Sequence, residues 1–115
     1  MSRLVLPVAL ATLLFSPIES AASDRDANIA QTASALASAD YARRHCPRIK
    51  IDDSVIEENA ADADTTVAAL REDESYKEQV VALKSVEAQS GRSMVCLVLP
   101  AAHSGGYAAG IIDVR

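Results

Sequence analysis

Four residues of this chain are of types that can bind a metal or carry redox chemistry: Cys46, Cys96, His45 and His103. Two cysteines and two histidines match the ligand number of a structural zinc site. Compact zinc sites usually space paired ligands about two to five residues apart, however, and Cys96 and His103 are about seven apart. The C-x-x-C spacing typical of redox-active dithiols is absent from the sequence. A disulfide between Cys46 and Cys96 is therefore favoured, and zinc is the alternative.

Other catalytic or ligand-binding patterns find no support. Ser104, His103 and Asp113 supply the residue types of a hydrolase triad, but sequence neighbours rarely converge in that geometry and no nucleophile elbow is present. The segment that starts at Asp62 resembles a calcium loop, yet Val67 stands where the loop requires glycine. We therefore expect no catalytic, metal-binding or cofactor-binding residues, and we predict that the protein is not an enzyme.

The N-terminus has the order of a secretory signal peptide. Arg3 precedes the uncharged run LVLPVALATLLF, and the small residues of SPIESAAS follow. We expect cleavage after Ala22, with Ser23 as the close competitor, and a periplasmic or secreted mature chain. The alternative, an uncleaved anchor, would need about 20 apolar residues. No later segment is long and apolar enough to span a membrane.

Residues 23–115 are expected to form one small domain with a modest core. The chain has no Trp, and its single Phe lies in the predicted signal peptide. The core must then be built from aliphatic residues, which bury less area than aromatic ones. A disulfide suits such a domain, and an exported chain reaches an oxidising compartment. Closing a loop of about 50 residues would stabilise the fold by roughly 4 kcal/mol.

Hydrophobic spacing predicts an all-α fold, a bundle of three to five helices. The first helix covers residues 24–44, where Ile29, Ala33 and Leu36 lie on one helical stripe. Pro47 indicates that this helix ends near Cys46. Residues 49–51 alternate apolar and charged side chains, which is typical of a short extended connector.

Two later segments carry helix-start signals. Ser54 and Ser75 each stand three residues before a glutamate, which is the spacing of a capping box. We expect a helix from Ser54 to about Asn59 and a longer helix that Gly91 ends. Residues 67–70 either form a separate turn or continue the preceding helix.

The run MVCLVL is apolar at every position, so its periodicity does not distinguish a buried helix from a strand. Because its neighbours are helical, we favour a buried helix that Pro100 kinks or ends. The disulfide would then tie the end of the first helix to the last core helix. A glycine-rich turn over residues 103–110 and a short apolar tail, IIDV, complete the chain.

Charge is distributed unevenly. Residues 52–78 are rich in Asp and Glu, whereas Arg43, Arg44, Arg48 and Lys50 form a basic cluster. We interpret this pattern as a solvated acidic face and a basic helix end that pair locally. The net charge of −5 argues against nucleic acid as a partner.

The predicted signal, a mature chain of about ninety residues, helical patterning and two cysteines about fifty positions apart together resemble the HdeA/HdeB type of small periplasmic acid-stress chaperones. The resemblance is one of architecture. It implies a homodimer at neutral pH that dissociates in acid and exposes apolar surface to unfolded clients. Protonation of the acidic 52–78 stretch would provide a physical basis for that switch.

Two functions follow as expectations. The first is an exported, chaperone-like binder of unfolded clients. The alternative is a structural or partner-binding module of the cell envelope that uses the apolar C-terminal region, including the Cys96 helix and the tail YAAGIIDV. A small secreted enzyme or a metal-binding protein is the least supported class.

Overall fold

A computed structural model describes residues 2–103 and 110–114 of the chain, with side chains for residues 24–103 and 110–112. Over these residues the elements are α1 (Ser2–His45), β1 (Ile49–Ile51), α2 (Asp53–Asp62), α3 (Val67–Glu72), α4 (Glu74–Ser90), α5 (Arg92–Ala102) and β2 (Ile112–Val114). The predicted all-α bundle of three to five helices with a Cys46–Cys96 disulfide is confirmed. The side chains of the predicted signal peptide lie outside the described residues, as do residues 104–109 of the predicted turn.

α1 is the central helix of the bundle. The sequence predicted one buried stripe, but residues 32–42 are buried on nearly every side, including Ala35, Ser38 and Ala39. α2, α3, α4 and α5 all contact α1. Small side chains allow neighbouring helices to approach closely from several directions, and close packing then excludes water from them. The alanines of α1 therefore form the middle of the core rather than one edge of it.

Side chains cap the starts of the three middle helices. Asp52 accepts a hydrogen bond from the backbone N–H of Ser54 at α2, and Asp73 accepts one from that of Ser75 at α4. Thr66 caps α3 in the same way. The predicted capping boxes at Ser54 and Ser75 are therefore wrong. In each case an aspartate two residues earlier is the cap, and its carboxylate also interacts favourably with the helix dipole.

The helix ends differ in how well the sequence predicted them. α2 continues to Asp62, three residues beyond the predicted end, and the chain then turns through Asp64, whose φ of 55° is left-handed. α3 follows as a separate helix. Gly91 ends α4 as predicted, with a φ of 85° that only glycine adopts readily.

β1 and β2 form a two-stranded antiparallel sheet in which Ile49 pairs with Val114 and Ile51 with Ile112. The predicted extended connector is thus a strand, and the predicted apolar tail is its partner. Ile111 and Ile112 are buried. The N–H of Asp52 donates a 2.9 Å hydrogen bond to the carbonyl of Ile111, which extends the contact to the start of α2.

The run MVCLVL is helical, as favoured, and lies within α5. The prediction that it is buried is wrong, because in this run only Val95 and Leu99 are buried. α5 contacts α4, α1 and β2, all of which lie on its inner side. Pro100 does not end the helix, which continues to Ala102. Among the residues whose side chains the structure describes, no helix combines the length and hydrophobicity that crossing a bilayer requires.

Candidate binding surface

α5 presents apolar side chains to solvent. Leu97 is 72% exposed, and Met94 and Val98 are each 43% exposed. Their spacing, i, i+3 and i+4, places them on one side of the helix. These three residues are called the α5 apolar face. Contiguous apolar surface on a soluble protein commonly marks an interaction site, whereas scattered single residues do not.

The opposite side of α5 is anchored in two ways. Val95 and Leu99 are buried in the core, with exposures of 0% and 2%. Cys96 forms the disulfide with Cys46, which directly follows α1, and the two Cα atoms are 5.5 Å apart. The bond closes a loop of 50 residues. The α5 apolar face is therefore held on a pinned helix, and binding there costs little ordering of the backbone.

A groove of about 530 Å³ lies beside the disulfide, between the chain after α1 and the first turns of α5. Its lining is mostly apolar. The residues that line it are His45, Cys46, Pro47, Arg48, Ile49, Arg92, Ser93, Cys96 and Leu97. Leu97 belongs both to this groove and to the α5 apolar face, so the two features form one continuous surface.

Arg92, on one wall of the groove, is connected to the core through Glu87. Its Nε atom lies 3.5 Å from Oε1 of Glu87, and the buried Tyr41 donates a 2.7 Å hydrogen bond to Oε2 of the same carboxylate. Burial and this hydrogen bond raise the pKa of Tyr41 to about 12. The hydrogen bond from Tyr41, assisted by the charge of Arg92, lowers the pKa of Glu87. Glu87 therefore stays ionised and connects α1, α4 and the start of α5.

A second polar cluster joins α1, α3 and α4 at Asp40. Its carboxylate accepts hydrogen bonds from Nε and Nη2 of Arg71, at 3.0 and 3.2 Å, and from the hydroxyl of Tyr76, at 2.7 Å. Burial alone would raise the pKa of Asp40, but these bonds and the charges of Arg71 and Arg43 outweigh it and lower the pKa. A partly buried carboxylate that is charged at neutral pH thus joins the three helices.

His103 takes part in a hydrogen-bonded chain with two other helices. Gln79 donates a 3.0 Å hydrogen bond to Oγ of Ser38, which lies 2.8 Å from Nε2 of His103. Burial lowers the pKa of His103 and so favours the neutral ring, whose Nε2 can accept the Ser38 proton. Ser38 is 0% exposed, so its hydroxyl cannot reach a substrate. This serine–histidine pair is structural rather than nucleophilic.

The structure does not bring the four candidate metal or redox residues together as one site. Cys46 and Cys96 are bonded to each other, and His103 bonds to Ser38. The ring of His45 packs against Tyr41, with centroids 4.7 Å apart. Among the described residues, no group of three or more His, Cys, Asp or Glu side chains is arranged to hold a metal ion. Ser104 and the side chain of Asp113, the other members of the considered triad, lie outside the described residues.

The charged residues largely follow the predicted pattern of a solvated face with local pairing. Arg43, at the end of α1, forms a two-pronged ion pair with Asp53 at the start of α2. Arg25 and Asp64 make a longer, exposed contact of 3.6 Å. Exposed pairs of this kind contribute little to stability.

Sequence reasoning missed the roles of Asp40 and Leu97. The sequence analysis assigned no role to Asp40, although a charged residue in an otherwise apolar stretch of helix is itself a signal that it has a buried partner. Leu97 carried no such signal, because it stands in a run that is apolar throughout.

No protein-family model matches the chain, and neither a curated protein nor a solved structure matches it significantly.

Proposed function

We propose that this chain is a small exported binding protein that captures an apolar segment of another polypeptide on the α5 apolar face. The single observation that carries the proposal is the exposure of Met94, Leu97 and Val98 on a helix whose other side is disulfide-linked. A core helix would hide these residues, and an exposed cluster of apolar side chains on a surface helix commonly marks a binding site. No step of this function requires a catalytic residue, metal or cofactor.

Unfolded clients are the proposed class of partner, as in the periplasmic acid-stress chaperones that the chain resembles in size, helical content and disulfide spacing. An unfolded chain exposes short apolar segments, and a fixed apolar helix face offers them a site. A dedicated folded partner in the cell envelope is the alternative. A chaperone-like protein and a protein with one dedicated partner differ in selectivity, because only the chaperone-like protein binds unrelated clients.

The test is suppression of client aggregation, followed by light scattering with two unrelated unfolding proteins. We expect the oxidised protein to reduce scattering from both clients and Leu97→Asp to lose the effect. Val81→Asp is the matched control, because Val81 is also exposed, at 67%, but lies on α4 and does not line the groove. If the wild-type protein leaves the scattering of both clients unchanged at neutral and acidic pH, the chaperone-like proposal fails.

Acid activation is a second candidate, favoured by the Asp40 cluster and the Tyr41–Glu87 bond. Both depend on carboxylates with lowered pKa values, and both hold α1 against neighbouring helices. Protonation would weaken these contacts and expose more apolar surface. We therefore propose that client binding increases as the pH falls below about 4. Equal suppression of scattering at pH 7 and pH 3 would contradict acid activation and leave binding itself in place.

Export is proposed from the N-terminal pattern and from the disulfide, which forms and persists in oxidising compartments. The intact mass of the protein from the cell envelope, before and after reduction, tests it. We expect the mass of residues 23–115 less two hydrogens, with both hydrogens regained on reduction. Free thiols or an uncleaved N-terminus would contradict export.

A further inference from the structure

The groove beside the α5 apolar face carries positive charge, although the chain as a whole is acidic. Arg48 and Arg92 line it, and none of its lining residues is acidic. The formal net charge of the protein is −5. The charge of the groove is thus opposite in sign to the net charge of the molecule. The groove lies at the end of the surface proposed to bind polypeptide.

The two arginines differ in how far they are already paired. Arg92 contacts Glu87 at 3.5 Å, and Tyr41 shares that carboxylate. Arg48 is exposed, and within the described residues no carboxylate lies within ion-pair distance of it. A guanidinium group that has no ion-pair partner among the described side chains, and that lies beside an apolar wall, is suited to a bidentate contact with a carboxylate from outside.

We infer that the segment bound by the α5 apolar face carries a carboxylate side chain next to its apolar residues, and that Arg48 binds this carboxylate. This inference rests on the proposed binding function and names the chemistry of the partner. The apolar side chains of the segment pack on Met94 and Leu97. The adjoining Asp or Glu lies in the groove, where Arg48 and Arg92 supply the opposite charge.

A second copy of this chain fits the groove less well. A symmetric pairing whose two-fold axis passes through the groove would bring Arg48 and Arg92 of one copy close to the same two residues of the other. Like charges placed together in an interface oppose association. Charge complementarity therefore favours a different polypeptide, with an acidic and apolar segment, as the occupant.

The experiment measures, at pH 7, the binding of three fluorescein-labelled peptides to the oxidised protein isolated from the cell envelope, by fluorescence anisotropy. The peptides share one Leu- and Ala-rich segment with blocked termini, and differ only in whether an adjoining pair of residues is Glu, Gln or Lys. We expect the Glu peptide to bind about fivefold more tightly than the Gln peptide and the Lys peptide to bind most weakly. The preference decreases as salt is added, because these charges are partly exposed.

Two variants assign the preference to Arg48. Arg48→Gln removes the difference between the Glu and Gln peptides, and Arg48→Glu reverses the order so that the Lys peptide binds best. Arg44→Gln is the matched control, since Arg44 is an exposed arginine near the end of α1 that does not line the groove. Thermal unfolding of each variant confirms that the fold is kept.

The outcomes separate this inference from the proposed function. If all three peptides bind equally and Leu97→Asp abolishes binding, the apolar site stands and the carboxylate preference is overturned. If the preference survives in both Arg48→Gln and Arg48→Glu, the role inferred for Arg48 is overturned. If none of the peptides binds, both the proposed function and the inference are overturned.

Discussion

The hydroxyl of Tyr76 on α4 lies 2.7 Å from a carboxylate oxygen of Asp40 on α1, to which it donates a hydrogen bond. Arg71 on α3 donates two further hydrogen bonds to the same carboxylate. One ionised side chain therefore connects three helices around the core. The side chain of Asp40 is only 17% exposed, so solvent screens these contacts less than it screens an open surface pair.

The Asp40 cluster predicts that the fold loses stability in acid. Because the folded-state pKa of Asp40 is below its ordinary value, its contribution is complete above the unfolded-state pKa of about 4 and is lost as the pH falls through the lowered value. We expect Asp40→Asn to lower the free energy of unfolding at pH 7 by about 2 kcal/mol. Urea unfolding at pH 7, 4 and 2.5 measures both effects.

Asp62→Asn is the control for this prediction, since Asp62 is an exposed carboxylate at the end of α2. We expect it to change stability at pH 7 by less than about 0.5 kcal/mol. If Asp40→Asn were as stable as Asp62→Asn and kept the wild-type pH dependence, the role assigned to the Asp40 cluster would be wrong.

The burial of His103 leads us to predict a second, milder effect of pH on stability. Burial lowers the pKa of this histidine in the folded state, so the unfolded chain binds a proton more readily. Its contribution to stability is therefore lost as the pH falls below about 6.5, the pKa of an unperturbed histidine. We expect His103→Gln to flatten the pH dependence of the unfolding midpoint between pH 7 and pH 5. An unchanged slope in this variant would refute the prediction.

Reduction of the Cys46–Cys96 bond is expected to destabilise the protein strongly. The bond closes a loop of 50 residues, and the chain-entropy model assigns a loop of this length about 4 kcal/mol. Urea unfolding with and without reductant measures the loss of stability. The double variant Cys46→Ala with Cys96→Ala should show the same loss without reductant. Coincident unfolding curves in the oxidised and reduced states would argue that the core alone maintains the fold.

Two leucines of α5 are predicted to have opposite roles. Leu99 is 2% exposed, and we expect Leu99→Ala to cost about 3 kcal/mol of stability because it leaves a cavity in the core. Leu97 is 72% exposed, and we expect Leu97→Ala to change stability by less than about 0.5 kcal/mol. Client binding should weaken in Leu97→Ala alone when measured under conditions where both variants are folded. A large loss of stability in Leu97→Ala would mean that α5 packs differently.

The sequence by itself determined the features that rest on local chemistry or on a unique pairing. A pair of cysteines allows one intramolecular disulfide. Gly91 ends a helix because its left-handed φ of 85° is accessible to glycine. The helical character of most segments follows from hydrophobic spacing, which needs no knowledge of distant residues.

Tertiary structure alone decided which distant residues meet and which side of α5 faces water. Asp40 pairs with Arg71 and Tyr76, which lie 31 and 36 positions later in the chain. Ile51 pairs with Ile112, which lies 61 positions later in the chain. Most decisively, a run that is apolar at every position contains no polar residue to mark its outer side. Only the packing of α5 against α1, α4 and β2 shows that Leu97 is left exposed, because burial there depends on which neighbours cover the helix.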